Sequence, residues 1–91
     1  MRYDTMQDLK EAFPTWFSPD TMAFFDCTIM TDLIDSKYFI TKEKKGFRST
    51  SYAYTVREAT DTGIETKGGF QTFSDLDSAE RFVDSLVKEN A

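Results

Sequence analysis

The sequence contains no histidine. That absence removes the commonest general base, the Ser-His and Cys-His nucleophile pairs and the commonest zinc ligand. A single cysteine, Cys27, excludes an internal disulfide and cannot build a zinc or iron–sulfur centre. Secreted domains of this size are ordinarily stapled by several bridges. Two prolines and four glycines are too few for a low-complexity or disordered chain. No apolar run approaches the ~20 residues that span a bilayer. Arg2, Asp4, Asp8, Lys10 and Glu11 interrupt the first residues, which leaves no signal-peptide core. A cytoplasmic protein without a membrane segment is expected.

Calcium-loop spacing is missing, and Lys67-Gly68-Gly69 falls far short of a phosphate-binding loop. Carboxylates are plentiful, but the pair Asp32 and Asp35 reads as a solvated turn and the pair Asp75 and Asp77 as helix capping. Cys27, beside Phe24 and Phe25, reads as a buried structural thiol. No enzyme, cofactor or metal is expected.

What is present is a chain of 91 residues with nine phenylalanines and four tyrosines, enough large rings for the core of one small domain. Its net charge of −5 is unevenly spread. Residues 1–36 carry −5, residues 37–48 carry +4 and residues 49–91 carry −4. An acidic surface with one basic loop does not suit a dedicated nucleic-acid binder.

The spacing of Met6, Leu9 and Phe13 predicts a helix capped by Asp4 or Thr5 and ended by Pro14. Ser18 and Pro19 open a second, short and aromatic helix. Trp16, Phe17, Phe24 and Phe25 are expected to wedge this half against a sheet, the alternative being a partner-binding patch. Cys27–Thr31 reads as a short edge strand, with a helical turn at Asp32–Asp35 as the alternative. Asp35-Ser36 is turn chemistry.

Three strands follow: Tyr38–Glu43, Ser51–Glu58 and Ile64–Phe73. Between the first two lies a polar loop, Lys42–Thr50. In the second, Tyr52, Tyr54 and Val56 share one face, and Ala53, Thr55 and Arg57 the other. Asp61-Thr62-Gly63 closes a tight hairpin, with Gly63 suited to a left-handed position. In the third, Ile64, Thr66 and Phe70 share a side, and Gly68-Gly69 predicts a bulge and a bend. Ser74, with Asp77 reaching back to it, opens a closing helix with apolar positions at Leu76, Ala79, Phe82, Val83 and Leu86. Asp77 and Arg81 are spaced for an i,i+4 ion pair. The expected class is α+β, a three- to four-stranded antiparallel sheet with N-terminal helices and a C-terminal helix, the helices on one face.

Tyr38-Phe39-Ile40-Thr41, Tyr54-Thr55-Val56-Arg57-Glu58, Gly69-Phe70-Gln71, Ala79 and the Phe24-Phe25 pair together resemble a loosely defined group of short phage and plasmid proteins, over residues 16–86. Members of that group carry Ser-Glu where this chain has Lys42-Glu43. The resemblance implies a mobile-element origin and carries over no catalytic residue. By analogy with small proteins of that setting, it implies an inhibitor or adaptor that binds a host protein.

Two binding modes follow. The outer face of the last helix, with Asp75, Asp77, Glu80 and Asp84, is a candidate protein-binding surface that imitates nucleic acid, possible anti-defence chemistry, against the plainer reading of a solvated helix face. Glu58, Asp61, Glu65 and Glu89 add to the same charge. Alternatively, Lys42, Lys44, Lys45 and Arg48 touch phosphates while Phe47 or Tyr52 stacks on a base, against the plainer reading of a lysine-guarded hairpin tip. A monomer or a small homo-oligomer is compatible with either.

Overall fold

Tyr38-Phe39-Ile40-Thr41 shows no polar–apolar alternation, which is the pattern of a strand covered on both faces. The computed structural model, which describes residues 3–23, 26–46 and 50–89, places that segment at the centre of the fold. In chain order the elements are α1 (Met6–Ala12), α2 (Pro19–Ala23), β1 (Thr28–Ile29), β2 (Tyr38–Lys44), β3 (Tyr52–Ala59), β4 (Ile64–Lys67) and α3 (Leu76–Glu89). The strands form one antiparallel sheet in the order β1-β2-β3-β4. The α+β class, the four-stranded sheet and the C-terminal helix agree with the sequence. So does the edge strand, although it is only two residues long. Among the described residues no helix is long and apolar enough to cross a membrane.

The helices do not share a face. Tyr38, Ile40 and Val56 pack under Ala79 and Val83 of α3, with Tyr54, Phe73, Leu76, Phe82 and Leu86 around them. On the opposite face, Phe39 and Ala59 pack against Tyr3, Leu9, Phe13, Trp16 and Phe17 of the N-terminal segment. The reason lies in β2 itself. Phe39 points away from Tyr38 and Ile40, and its fully buried ring needs a second apolar layer. Trp16 and Phe17 supply it, with centroids 5.8 and 5.9 Å from Phe39. Phe24 and Phe25 lie outside the described residues.

Capping follows local chemistry, with one shift. Thr5 caps α1 by accepting from the Asp8 amide at 3.1 Å, and Ser18 accepts from the Thr21 amide at 3.3 Å. At α3 the cap is Asp75 rather than Ser74, its Oδ1 accepting from the Ser78 amide at 2.7 Å. A carboxylate is the stronger acceptor at the positive end of a helix. Asp77 accordingly turns forward to Arg81, 2.6 Å away, instead of back to a cap.

Turns place the strands. Asp35 and Ser36, at φ 53 and 60°, form a left-handed pair between Ile34 and Tyr38, which exchange backbone bonds of 2.7 and 2.9 Å. Gly63 is not left-handed. The Thr60 hydroxyl closes that turn instead, donating to the Gly63 carbonyl at 2.9 Å and accepting from its amide at 3.2 Å. Between β2 and β3 the pairing runs further into the polar segment than expected, to Lys44 opposite Tyr52.

The interruption at Gly68-Gly69 is larger than a bulge. β4 ends at Lys67, opposite Val56, and pairing resumes only at Phe73, opposite Tyr54. The intervening loop leaves the sheet through Gly68 and Gly69, at φ 77 and 101°. A Cβ on Gly68 would sit 2.9 Å from the Phe82 ring. Substitution Gly68→Ala is therefore expected to destabilise the protein by about 1–3 kcal/mol, combining a left-handed backbone with a clash against α3. Gly46→Ala, which meets no atom within 4 Å, is the neutral control. The shift in urea midpoint measures both.

Candidate functional site

On the face opposite α3, strand register gathers five polar side chains. Thr41 and Glu43 come from β2, Thr55 and Arg57 from β3 and Thr66 from β4. Thr41 pairs with Thr55 and Arg57 with Thr66, so Glu43–Thr55 and Arg57–Thr41 are diagonal neighbours within side-chain reach.

The Glu43 side chain is 2% exposed. Its carboxylate accepts from the Thr41 hydroxyl, from the Thr55 hydroxyl at 3.1 Å and from Arg57 Nη2 at 3.4 Å. Arg57 also donates from Nε to Thr41 Oγ1 at 3.2 Å and from Nη1 to Thr66 Oγ1 at 2.8 Å. Thr55 accepts in turn from the Gln71 amide at 2.9 Å, and the Gln71 side chain donates to the Lys44 carbonyl at 2.6 Å. The network thus reaches from the sheet into the loop after β4. Among the described residues no buried side-chain nitrogen or oxygen lacks a partner.

Rings flank the cation. The Arg57 guanidinium carbon lies 5.4 Å from the Trp16 ring and 5.5 Å from the Phe70 ring, both within cation–π range. Beside them is an open cavity of about 490 Å³ with Met22 and Cys27 also in its wall. Cys27 is half-buried rather than fully buried. Burial first, and then the Glu43 carboxylate, push its thiol up to about 11, while Arg57 pulls the other way. That thiol is not poised as a nucleophile near neutral pH.

The residues singled out from sequence are distributed differently. Asp75 is committed to capping α3, and the Ser78 amide holds its carboxyl below the usual range. Asp77 is paired with Arg81. Glu80 and Asp84 are exposed on the same helix. Glu58 leaves the acidic display, because Lys37 and Lys67 bracket it at 3.9 and 3.1 Å. The Lys42 ammonium lies 4.7 Å over the Tyr52 ring, Lys44 is half-buried and Lys45 is exposed. Arg48 and Phe47 lie outside the described residues. The Tyr52 hydroxyl donates to Asp26 at 2.7 Å. Asp32 bonds the Leu33 amide at 2.8 Å, and Asp35 sits in the left-handed turn. Among the described residues no group of three or more His, Cys, Asp and Glu side chains is placed to hold a metal ion.

Sequence reasoning did not assign Glu43, Arg57 and Phe70 to a site, and placed Trp16 only in the alternative of an aromatic partner-binding patch. The signal was the odd polar content of one strand face: Thr41, Glu43, Thr55 and Arg57 fall on alternate positions of two neighbouring strands. Read singly, each looks like an ordinary solvated strand residue.

Replacing Glu43 by Leu strands the Arg57 charge in a covered site. The expected loss is about 3–5 kcal/mol in urea unfolding, with the Glu43→Leu/Arg57→Leu double variant losing less than the sum of the two singles. Native Cys27 should be alkylated by iodoacetamide at pH 8 about a hundredfold more slowly than in urea, following the thiolate fraction between its ordinary 9.0 and about 11. Because the folded-state value is raised, the associated stability is complete below pH 9 and is lost as pH rises through about 11.

No curated protein and no solved structure matches the chain. The profile of a family of unknown function, DUF7447, matches residues 2–84. Since that match spans nearly the whole sequence, the chain belongs to the DUF7447 family.

Proposed function

We propose that the protein works without catalysis, by binding a host protein as a small inhibitor or adaptor carried by a mobile element. The observation that carries this reading is the outward side of α3. Asp77, Glu80 and Asp84 are exposed there, spanning eight residues, or about 10 Å of rigid helix. A row of carboxylates fixed on a rod suits a basic groove of the kind that handles nucleic acid, and long-range attraction speeds the encounter. A nucleic-acid-handling defence complex is the target class this chemistry favours. Arg81 tempers the charge at Asp77, which leaves Glu80 and Asp84 as the centre of the surface.

A second reading rests on the β2–β3 hairpin. Lys42 and Lys44 alternate onto one side of β2, and Tyr52 stands opposite Lys44. Cations beside a ring are the elements of a single-strand contact. The acidic remainder of the chain opposes it.

One capture experiment separates the two. Tagged protein is incubated with host lysate, with and without nuclease, beside an Asp77→Lys/Glu80→Lys/Asp84→Lys variant. The host-protein reading expects one stoichiometric protein that survives nuclease, with recovery about tenfold or more lower for the variant. Recovery that vanishes with nuclease, or full retention by the variant, overturns it.

A further inference from the structure

We infer that the cavity beside Trp16 and Phe70 is a second contact surface, one that receives a cationic side chain, arginine or lysine, from a basic segment of a partner polypeptide. This goes beyond the α3 surface, because the cavity lies on the opposite face of the sheet.

Shape and wall chemistry point to such an occupant. A volume of about 490 Å³ lies within the ~300–1,000 Å³ range of recognition pockets. Trp16, Met22 and Phe70 provide apolar walls for a long aliphatic stem. Charge selects the head group. Asp20, Glu43 and Arg57 line the cavity, and Glu43 and Arg57 are already paired with each other. Asp20 lies at the exposed rim, so the described lining side chains carry one formal negative charge in excess. Among the described lining residues Arg57 is the only basic one. Trp16 and Phe70 lie 5.4 and 5.5 Å from the Arg57 guanidinium, within cation–π range.

The backbone is shaped to hold this arrangement. Phe70 is 51% exposed. It is carried by a loop with Gly68, Gly69 and Gln71 at φ 77, 101 and 55°. Gln71 is pinned to Thr55 and Lys44, and the Thr72 hydroxyl donates to the Gly68 carbonyl at 2.8 Å. Across the cavity, Asp26 precedes Cys27 at φ 52° and is tied to Tyr52. Left-handed backbone at Gln71 and Asp26 thus flanks the two lining residues Phe70 and Cys27 in sequence.

The test is a titration of the whole isotope-labelled chain, followed by NMR, with glycine–serine pentapeptides carrying arginine, citrulline or norleucine at the centre. The arginine peptide is expected to shift the Trp16 indole N–H and the Phe70 and Gln71 amides saturably. The citrulline peptide, neutral but of the same shape, should bind about five- to tenfold more weakly, the size of one exposed ion pair with a cation–π contact. Phe70→Ala and Asp20→Asn should each weaken the arginine peptide by about threefold or more. Both positions are exposed, and unchanged spectra away from the cavity verify that the variants fold. Equal binding of the citrulline or norleucine peptide overturns the inference. So do arginine-induced shifts confined to α3, and so does undiminished binding by both variants.

Discussion

The Glu43 carboxylate, held almost entirely out of water within a small sheet, constrains everything around it. Desolvating a carboxylate costs several kcal/mol unless charge and hydrogen bonds replace the lost water. Here two threonine hydroxyls and one guanidinium do so. Each of those groups is itself engaged: Thr41 by Arg57, Arg57 by Thr66, and Thr55 by the backbone of the loop after β4. One buried charge thereby dictates residue type on three strands and ties an irregular loop to the sheet. Such a network rewards completeness, since removing any one member leaves another polar group stranded.

The second constraint is geometric. β2 carries large apolar groups on both of its faces, so no single layer of helices satisfies it. α3 covers Tyr38 and Ile40, while the N-terminal segment must fold back across the sheet to cover Phe39. That return brings Trp16 to Arg57 and, with the loop after β4, creates the cavity. The cavity thus lies where α1 and the turn after it, which cover this face, meet the loop after β4. Trp16 stands in its wall because that ring also covers Phe39.

These two features set the functional geometry. The sheet separates an acidic helix face from a cavity on its other side, and the two surfaces differ in kind. The helix offers exposed charge, which acts at long range and is screened by salt. The cavity offers shape and rings, whose contacts act only at short range.

Much of this fold was legible in the residues alone. Hydrophobic periodicity located α1, α3 and the three main strands, and capping chemistry located the starts of α1 and α2. These signals are local: each depends on a few neighbouring residues and on backbone geometry that any tertiary context must respect. The i,i+4 pair of Asp77 with Arg81 is of the same kind. The turn at Asp35-Ser36 was likewise readable from two residues.

What only the tertiary structure decided involves choices between faces and partners far apart in the chain. Sequence shows that Trp16 and Phe17 must be buried, but not that they lie across the sheet from α3. It shows glycines interrupting the third strand, but not the five-residue excursion that lifts Phe70 over Arg57. It shows Glu43 in a polar stretch, where solvent exposure is the ordinary outcome, and not the burial that Arg57 makes tolerable from fourteen residues away. Pairing energy of that kind depends on register and on exclusion of water, and neither exists until the sheet and both of its covering layers are in place.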